Sequence, residues 1–338
     1  MPELDGLRGL AVLGVIFYHC HPRFVGTPLH YASLWGWAGV NLFFVLSGFL
    51  ITSILLESRE KPHYFRNFYG RRALRIWPVY LLVLAIVYAQ SDWFIGPLPL
   101  EAIKTAPWLA YFFFAQNLFH LILPPAIGPT WSLAIEQQYY LLWAPGVRFL
   151  HKPWVLASVL AAALACSPLL RYLHPAWVSV NHTLIKLDGI AIGSLIALGL
   201  FTLALSRRTW LWIGLGALVL AIAASATVAG GTSFLDTALA TGFAGAVVAA
   251  IASTGARNPI NASLRSGPLA FYGRISYGLY MIHIMVFIYL GAFDAHMNSF
   301  GMAGNIAVVI MRLAVSTAAA TALWYGFESQ ILKLKRHF

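Results

Sequence analysis

A chain of 338 residues that is 60% hydrophobic and only 10% charged, with a mean hydropathy of +0.74, is not a soluble globular protein. Its net charge of +11 comes from 22 Lys and Arg against 11 Asp and Glu. The basic residues gather at the ends of apolar stretches, so the excess reads as membrane sidedness and not as nucleic-acid binding. Those stretches recur along the whole length, and most run about 17 to 23 residues, the length of a bilayer-spanning helix. The start, Met1-Pro2-Glu3, offers neither a basic segment nor a small-residue cleavage site, so no cleavable signal peptide is expected.

The first predicted span, 7–21, carries Arg8 and His19 eleven positions apart. Eleven residues are three turns plus about 20°, so both side chains share one face, roughly 16 Å apart along the axis. A cation on a membrane helix costs about 2.5 to 3.5 kcal/mol at mid-depth, and something must offset it. A long anionic ligand would, with its charge near Arg8 and its reactive end near His19. Asp5, three residues before Arg8, supplies a simpler capping or pairing explanation for the arginine, but not for His19.

The second span, 37–56, contains Gly39, Ser47 and Gly48, small enough for close helix packing or close approach of a ligand. The third, 74–90, follows a basic stretch and is headed by Arg71, Arg72 and Arg75. Arg72 and Arg75 share a face at i, i+3. They read either as a lipid head-group anchor or as a bidentate phosphate clamp. The apolar segment at 106–123 is broken by prolines on both sides, as a re-entrant or interfacial piece near 100–125 would be. The remaining predicted spans are 131–149, 154–172, 183–203, 210–229, 234–252, 271–291 and 304–326.

Short cytoplasmic loops collect Lys and Arg. Basic residues at 57–75, at Arg148 and Lys152, at Arg207 and Arg208, at Arg257 and Arg265, and at Lys333, Lys335 and Arg336 alternate with poorer loops. The alternation holds only if segment 106–123 does not cross. It predicts an all-α integral membrane protein, a bundle of about ten transmembrane helices in one domain over 1–338, with both termini cytoplasmic. On this topology His19, Glu136, Asp188 and His283, from four separate helices, fall in the outer half of the bilayer. Arg312 lies near mid-membrane in the last span and needs an acidic or anionic partner. Cys20 and Cys166 both fall at helix positions and read as apolar fillers rather than a disulfide.

Together these residues resemble the acyltransferase-3 family of bacterial inner-membrane acyltransferases. The resemblance begins with Leu4-Asp5-Gly6-Leu7-Arg8 and His19 and continues through Gly39-Val40-Asn41 to Gly48-Phe49. It then takes in Arg72-Ala73-Leu74-Arg75, Trp131-Ser132-Leu133-Ala134-Ile135-Glu136, and Ser276-Tyr277 through His283. Asn41, where many relatives have Asp, and Lys186, where Arg is common, depart from the pattern. The resemblance implies acyl transfer, usually acetyl from acetyl-CoA, to a hydroxyl of a carbohydrate or related acceptor. Such acceptors include O-antigen, exopolysaccharide, peptidoglycan, Nod factors and macrolides. The chain stops at Phe338, soon after its last predicted span, which suggests a stand-alone form without an appended SGNH-type domain.

On this reading Arg8, Arg72 and Arg75 hold the phosphates of acyl-CoA at the cytoplasmic side, and the pantetheine arm reaches His19. His19 acts as general base on an acceptor hydroxyl entering from outside. Glu136 orients His19 or binds the sugar, and His283 relays a proton or stabilises an oxyanion. Trp37, Trp131 and Asp188 are candidate acceptor contacts, although outer tryptophans also form an interfacial belt. The expected partners are a carbohydrate or glycolipid acceptor and membrane lipids, with no nucleic acid and no metal. A transporter or flippase would also place charges inside a bundle, but it predicts inverted repeats that the sequence lacks. A haem or quinone protein using His19 and His283 is a third possibility, and it leaves the arginines unexplained.

Overall fold

The computed structural model describes residues 1–89, 108–118, 124–179, 181–203, 205–227, 232–254 and 259–338. The predicted loop 91–105, both ends of the proline-broken segment (106–107 and 119–123) and Arg257 lie outside the described residues. Among the described residues every regular element is helical, and ten helices have 16 or more residues. They are α1 (Pro2–His19), α2 (Gly39–Ser58), α3 (Tyr64–Ala89), α4 (Thr130–Phe149), α5 (Pro153–Leu173), α6 (Leu187–Thr202), α7 (Arg207–Thr227), α8 (Thr232–Ala252), α9 (Gly267–Tyr289) and α10 (Gly301–Leu323).

Among the described residues six stretches are long and apolar enough to cross a membrane: Pro28–Ser58, Tyr64–Ala89, Pro153–Leu173, Phe234–Ala252, Gly267–Tyr289 and Gly291–His337. The chain is thus a multi-pass membrane protein by helix length and composition. Helix α1 falls short because Glu3, Asp5 and Arg8 crowd its first half, and α6 is only 16 residues long. The described part of the segment expected near 100–125 is one short helix, Trp108–Phe112, and the turns after it. These end in buried Gln116 and Asn117. The Asn117 amide donates to the Thr183 hydroxyl at 2.8 Å, and the Gln138 amide donates to the Asn117 side-chain oxygen at 2.9 Å. Cys20 is buried, Cys166 is exposed, and both are free thiols, as the filler reading expected.

Packing centres on three close helix pairs: α1 against α9, α2 against α6, and α7 against α8. The first two are glycine contacts. A Cβ on Gly273 of α9 would overlap the Asp5 carbonyl of α1, and one on Gly193 of α6 would overlap the Val45 carbonyl of α2. Backbones this close leave no room for a side chain, which is how small residues bring membrane helices together. The α1–α9 contact puts the Arg8–His19 face of one helix beside the Ser276–His283 face of the other.

Gly273→Val is expected to force α1 and α9 apart, at about 1–3 kcal/mol or more. Thermal unfolding of purified protein in detergent would show a lowered midpoint. Gly216→Ala, where a Cβ meets nothing within 4 Å, should leave the midpoint unchanged.

Candidate functional site

Between α1, α2, α3, α4 and α9 lies a cavity of about 830 Å³, its open part included, onto which Arg8, Arg72, Arg75 and Glu136 all face. Each helix contributes by its own periodicity. Arg72, Arg75 and Ile76 follow at i, i+3 and i+4 on α3, and Ser132, Leu133, Glu136 and Tyr140 form a stripe at i+1, i+4 and i+8 on α4.

The three guanidinium groups differ in their company. Arg8 is 3.3 Å from Asp5. Arg75 donates to Glu328 at 2.7 Å and lies over the rings of Trp324 and Tyr277 at 5.5 and 5.9 Å. Arg72 has the Phe68 ring at 6.0 Å and, among the described residues, no carboxylate within ion-pair distance. Like charges converging on one cavity in an apolar surround favour an anion there. Arg72 is the group left to receive it.

Glu136 is not beside His19, contrary to one of its expected roles. Its Oε2 accepts from the Tyr140 hydroxyl at 3.0 Å, and Tyr140 in turn shares a hydrogen bond with Ser47 of α2. The stripe on α4 turns Glu136 toward the arginines, so the carboxylate belongs to the cavity. Tyr140 was legible in sequence as its i+4 neighbour. Glu328 was not, because it follows the last predicted span.

His19 and His283 do meet. Their ring centroids are 4.9 Å apart, and His283 Nε2 lies 3.3 Å from His19 Nδ1. Each ring also faces a backbone carbonyl through Nδ1: His19 toward Val15 O at 2.9 Å, His283 toward Tyr280 O at 2.7 Å. Carbonyls only accept, so both Nδ1 atoms carry hydrogen. His19 Nδ1–H is therefore shared between Val15 O and the His283 Nε2 lone pair. His19 Nε2 is the nitrogen left with a free lone pair. A direct contact of 3.3 Å leaves no room for a haem or quinone ring between the imidazoles, since trans ligation of a haem iron by two bonds of about 2.0 Å needs about 4 Å. The reading of a cofactor held between these histidines fails on that ground. The pair lies one turn along α9 from the cavity. Tyr280 spans the step, facing the cavity, bonded to Ser132 at 2.8 Å, and with its ring 5.9 Å from that of His283.

The remaining candidates are elsewhere. Asp188 is buried, and its oxygens accept from Arg171 at 2.7 Å, from the Thr237 hydroxyl and from the Gly189 N–H. Lys186 pairs with Asp236 at 2.6 Å, and Asn41 donates to the same carboxylate at 3.4 Å. This network ties α5, α6, α8 and α2. It was traceable in sequence, because Arg171 is a basic residue at a helix end that the predicted topology puts outside, where the sidedness rule expects few. Trp131 packs on Phe44 with Lys186 over its ring at 5.9 Å, and Trp37 is half-buried in a short turn before α2. Arg312 finds Asp294, its Nε 3.1 Å away, which also meets Arg23 at 3.2 Å, while the Phe287 ring lies 4.4 Å beneath the guanidinium. The four ionisable residues expected at one depth thus divide among three centres: the histidine pair, the arginine cavity and the Asp188 network. Among the described residues no three His, Cys, Asp or Glu side chains gather as metal ligands.

The family model described as an acyltransferase domain, Acyl_transf_3, matches residues 1–325. Curated relatives include a peptidoglycan O-acetyltransferase OatA of Listeria monocytogenes, 36% identical over 167 residues, covering 46% of this chain and 25% of that protein. The O-acetyltransferase OatA of Staphylococcus aureus is 34% identical over 161 residues, 44% of this chain and 25% of that one. The putative peptidoglycan O-acetyltransferase YrhL of Bacillus subtilis is 32% identical over 184 residues, 49% and 27% respectively. The aligned region is thus about a quarter of the length of each relative. No solved structure matches the chain.

Arg171→Met would leave Asp188 buried without its cation, at a cost of about 3–5 kcal/mol. Thermal unfolding should show a large loss, much of it recovered in Arg171→Met with Asp188→Asn. A role of Asp188 in holding acceptor would appear instead as a raised acceptor KM at unchanged stability.

Proposed function

We propose that this chain, which belongs to the acyltransferase-3 family, transfers an acetyl group from acetyl-CoA to a hydroxyl of a cell-surface carbohydrate. Arg72, which faces the cavity with no carboxylate partner among the described residues, is the observation that carries the reading. A phosphate or pyrophosphate of the donor would meet it together with Arg8 and Arg75, because guanidinium forks bind such oxygens in bidentate fashion. The thin pantetheine arm then runs past Tyr280 toward the histidine pair. The span of about 16 Å from Arg8 to His19 suits it.

At the far end His19 Nε2 takes the proton of the acceptor hydroxyl. The oxygen attacks the thioester carbonyl, the carbon–sulfur bond breaks, and the leaving thiolate recovers a proton from His19. An acetyl ester and free CoA result. The Nδ1–H held between Val15 O and His283 keeps the Nε2 lone pair available and the ring in place, the part a carboxylate plays for the base in other acyl transfers. Peptidoglycan, the substrate in the names of two of the relatives, is the acceptor class favoured here. O-antigen and exopolysaccharide share the same hydroxyl chemistry. Trp37 and Trp131 would stack on its sugar rings at the outer side. The setting is the bacterial cell membrane, with about ten crossings and both termini cytoplasmic.

Purified wild type should bind acetyl-CoA and release free CoA when given acceptor. His19→Ala should lose about 10²- to 10⁴-fold in turnover while donor affinity holds within about twofold. Arg72→Ala should weaken donor binding about tenfold or more. No donor binding by the wild type would overturn this reading in favour of a transporter. For the topology, reporter fusions after Phe338 and after Pro175 should report opposite sides of the membrane, and a shared side would refute it.

A further inference from the structure

Past Leu323 the last helix changes register. Residues Trp324–Glu328 form a π-helical turn, followed by a short α-helical piece, Ser329–Leu332. The consequence is visible at Gly278 of α9. Leu323 Cδ2 and Glu328 Oε2 both lie over this glycine, 3.2 and 3.6 Å from where its Cβ would stand. Residues five apart on an α-helix point about 140° away from each other. The π turn brings both to one side, and π turns of this kind recur at functional sites.

Glu328 is thereby aimed at the arginine cavity. It is 2% exposed, its Oε1 accepts from Arg75 Nη1 at 2.7 Å, and Trp324 of the same turn lies under the guanidinium at 5.5 Å. Tyr277 of α9 flanks the group at 5.9 Å. Arg75 is therefore held on two ring faces and one carboxylate, which fixes a long and otherwise mobile side chain. Glu328 also offsets part of the charge that Arg8, Arg72 and Arg75 bring to one space.

From this geometry we infer that Glu328 is a positioning residue for donor binding: the π turn of the last helix sets Arg75 into the anion site through it. The inference rests on the reading of the cavity as the acyl-CoA site. It predicts a defect in donor affinity rather than in chemistry, since Glu328 bonds Arg75 and not the histidine pair.

The test measures acetyl-CoA affinity, KM and kcat on the purified full chain for wild type, Arg72→Ala, Glu328→Gln, Glu328→Asp and Arg75→Ala, alone and with Glu328→Gln. Glu328→Gln should weaken acetyl-CoA binding about tenfold with kcat within about twofold, and Glu328→Asp should recover much of the loss. The effect should vanish in the Arg75→Ala background, because the two act as one unit. Unchanged or tighter donor binding in Glu328→Gln, with Arg72→Ala still defective, would overturn this inference alone. Wild type that binds no acetyl-CoA would overturn the donor site and this inference with it. Should Glu328→Gln fail to fold, Trp324→Leu removes the ring beneath Arg75 and leaves the carboxylate. It should then show the same loss of affinity, and normal affinity would count against the clamp.

Discussion

The arrangement depends first on the backbone contact between α1 and α9. At Gly273 the two helices touch main chain to main chain, closer than any side chain would permit. In a bilayer there is little hydrophobic drive to bring helices together, so such contacts, with their dispersion and polar interactions, set the register. Here the register assembles the candidate site. It brings Arg8 level with Ser276 and Tyr277 at one end, and His19 level with His283 at the other. Glu3 at the start of α1 adds an ion pair to Arg265, just before α9, which fixes the same pair of helices at their N-terminal ends.

Around that pair the main problem is charge in an apolar medium, and it is solved in three different ways. Asp188, Arg171, Asp236 and Lys186 satisfy one another across three helices, buried and closed. Arg312 and Arg23 share Asp294 and brace the loop after α1 to the last helices. The arginine cavity is left incomplete. Arg8 and Arg75 have acidic neighbours, whereas Arg72 lies over the Phe68 ring with no carboxylate within ion-pair distance among the described residues. A structural ion-pair network has no reason to leave a cation short in this way, whereas a binding site does.

The histidine pair stands apart from these networks, and its chemistry follows from the backbone. Val15 O and Tyr280 O lie four and three residues before their histidines, so helix geometry alone places an acceptor at each Nδ1. The remaining contact makes His283 an acceptor for His19. Ser132 bonds the Tyr280 hydroxyl and Tyr140 bonds Glu136, and all four line the cavity. The pair lies about one turn of α9 from the arginine cavity.

Much of this was legible in the residues. Composition and span length determined the helical membrane class, and the predicted spans coincide with the ten long helices to within a few positions for most of them. Helical periodicity put Arg8 with His19 and Arg72 with Arg75, and it marked Arg312 as needing a partner. Periodicity is a property of one helix, however, and it says nothing about which faces of different helices meet. Depth alone grouped His19, Glu136, Asp188 and His283, and the packing separated them. Glu136 turned to the arginines because the stripe on α4 faces α2 and α3. Asp188 was drawn to Arg171, and Arg312 to an aspartate in the short helix Gly291–Met297. Glu328 could not have been placed at all, since an α-helical register aims it elsewhere and only the π turn, stabilised by its contacts with Arg75 and α9, brings it into the cavity. The sequence by itself determined the class of molecule and the chemistry-bearing stripes. Only the tertiary structure decided which charges neutralise one another and which is left for a ligand, because that depends on contacts between helices distant in the chain.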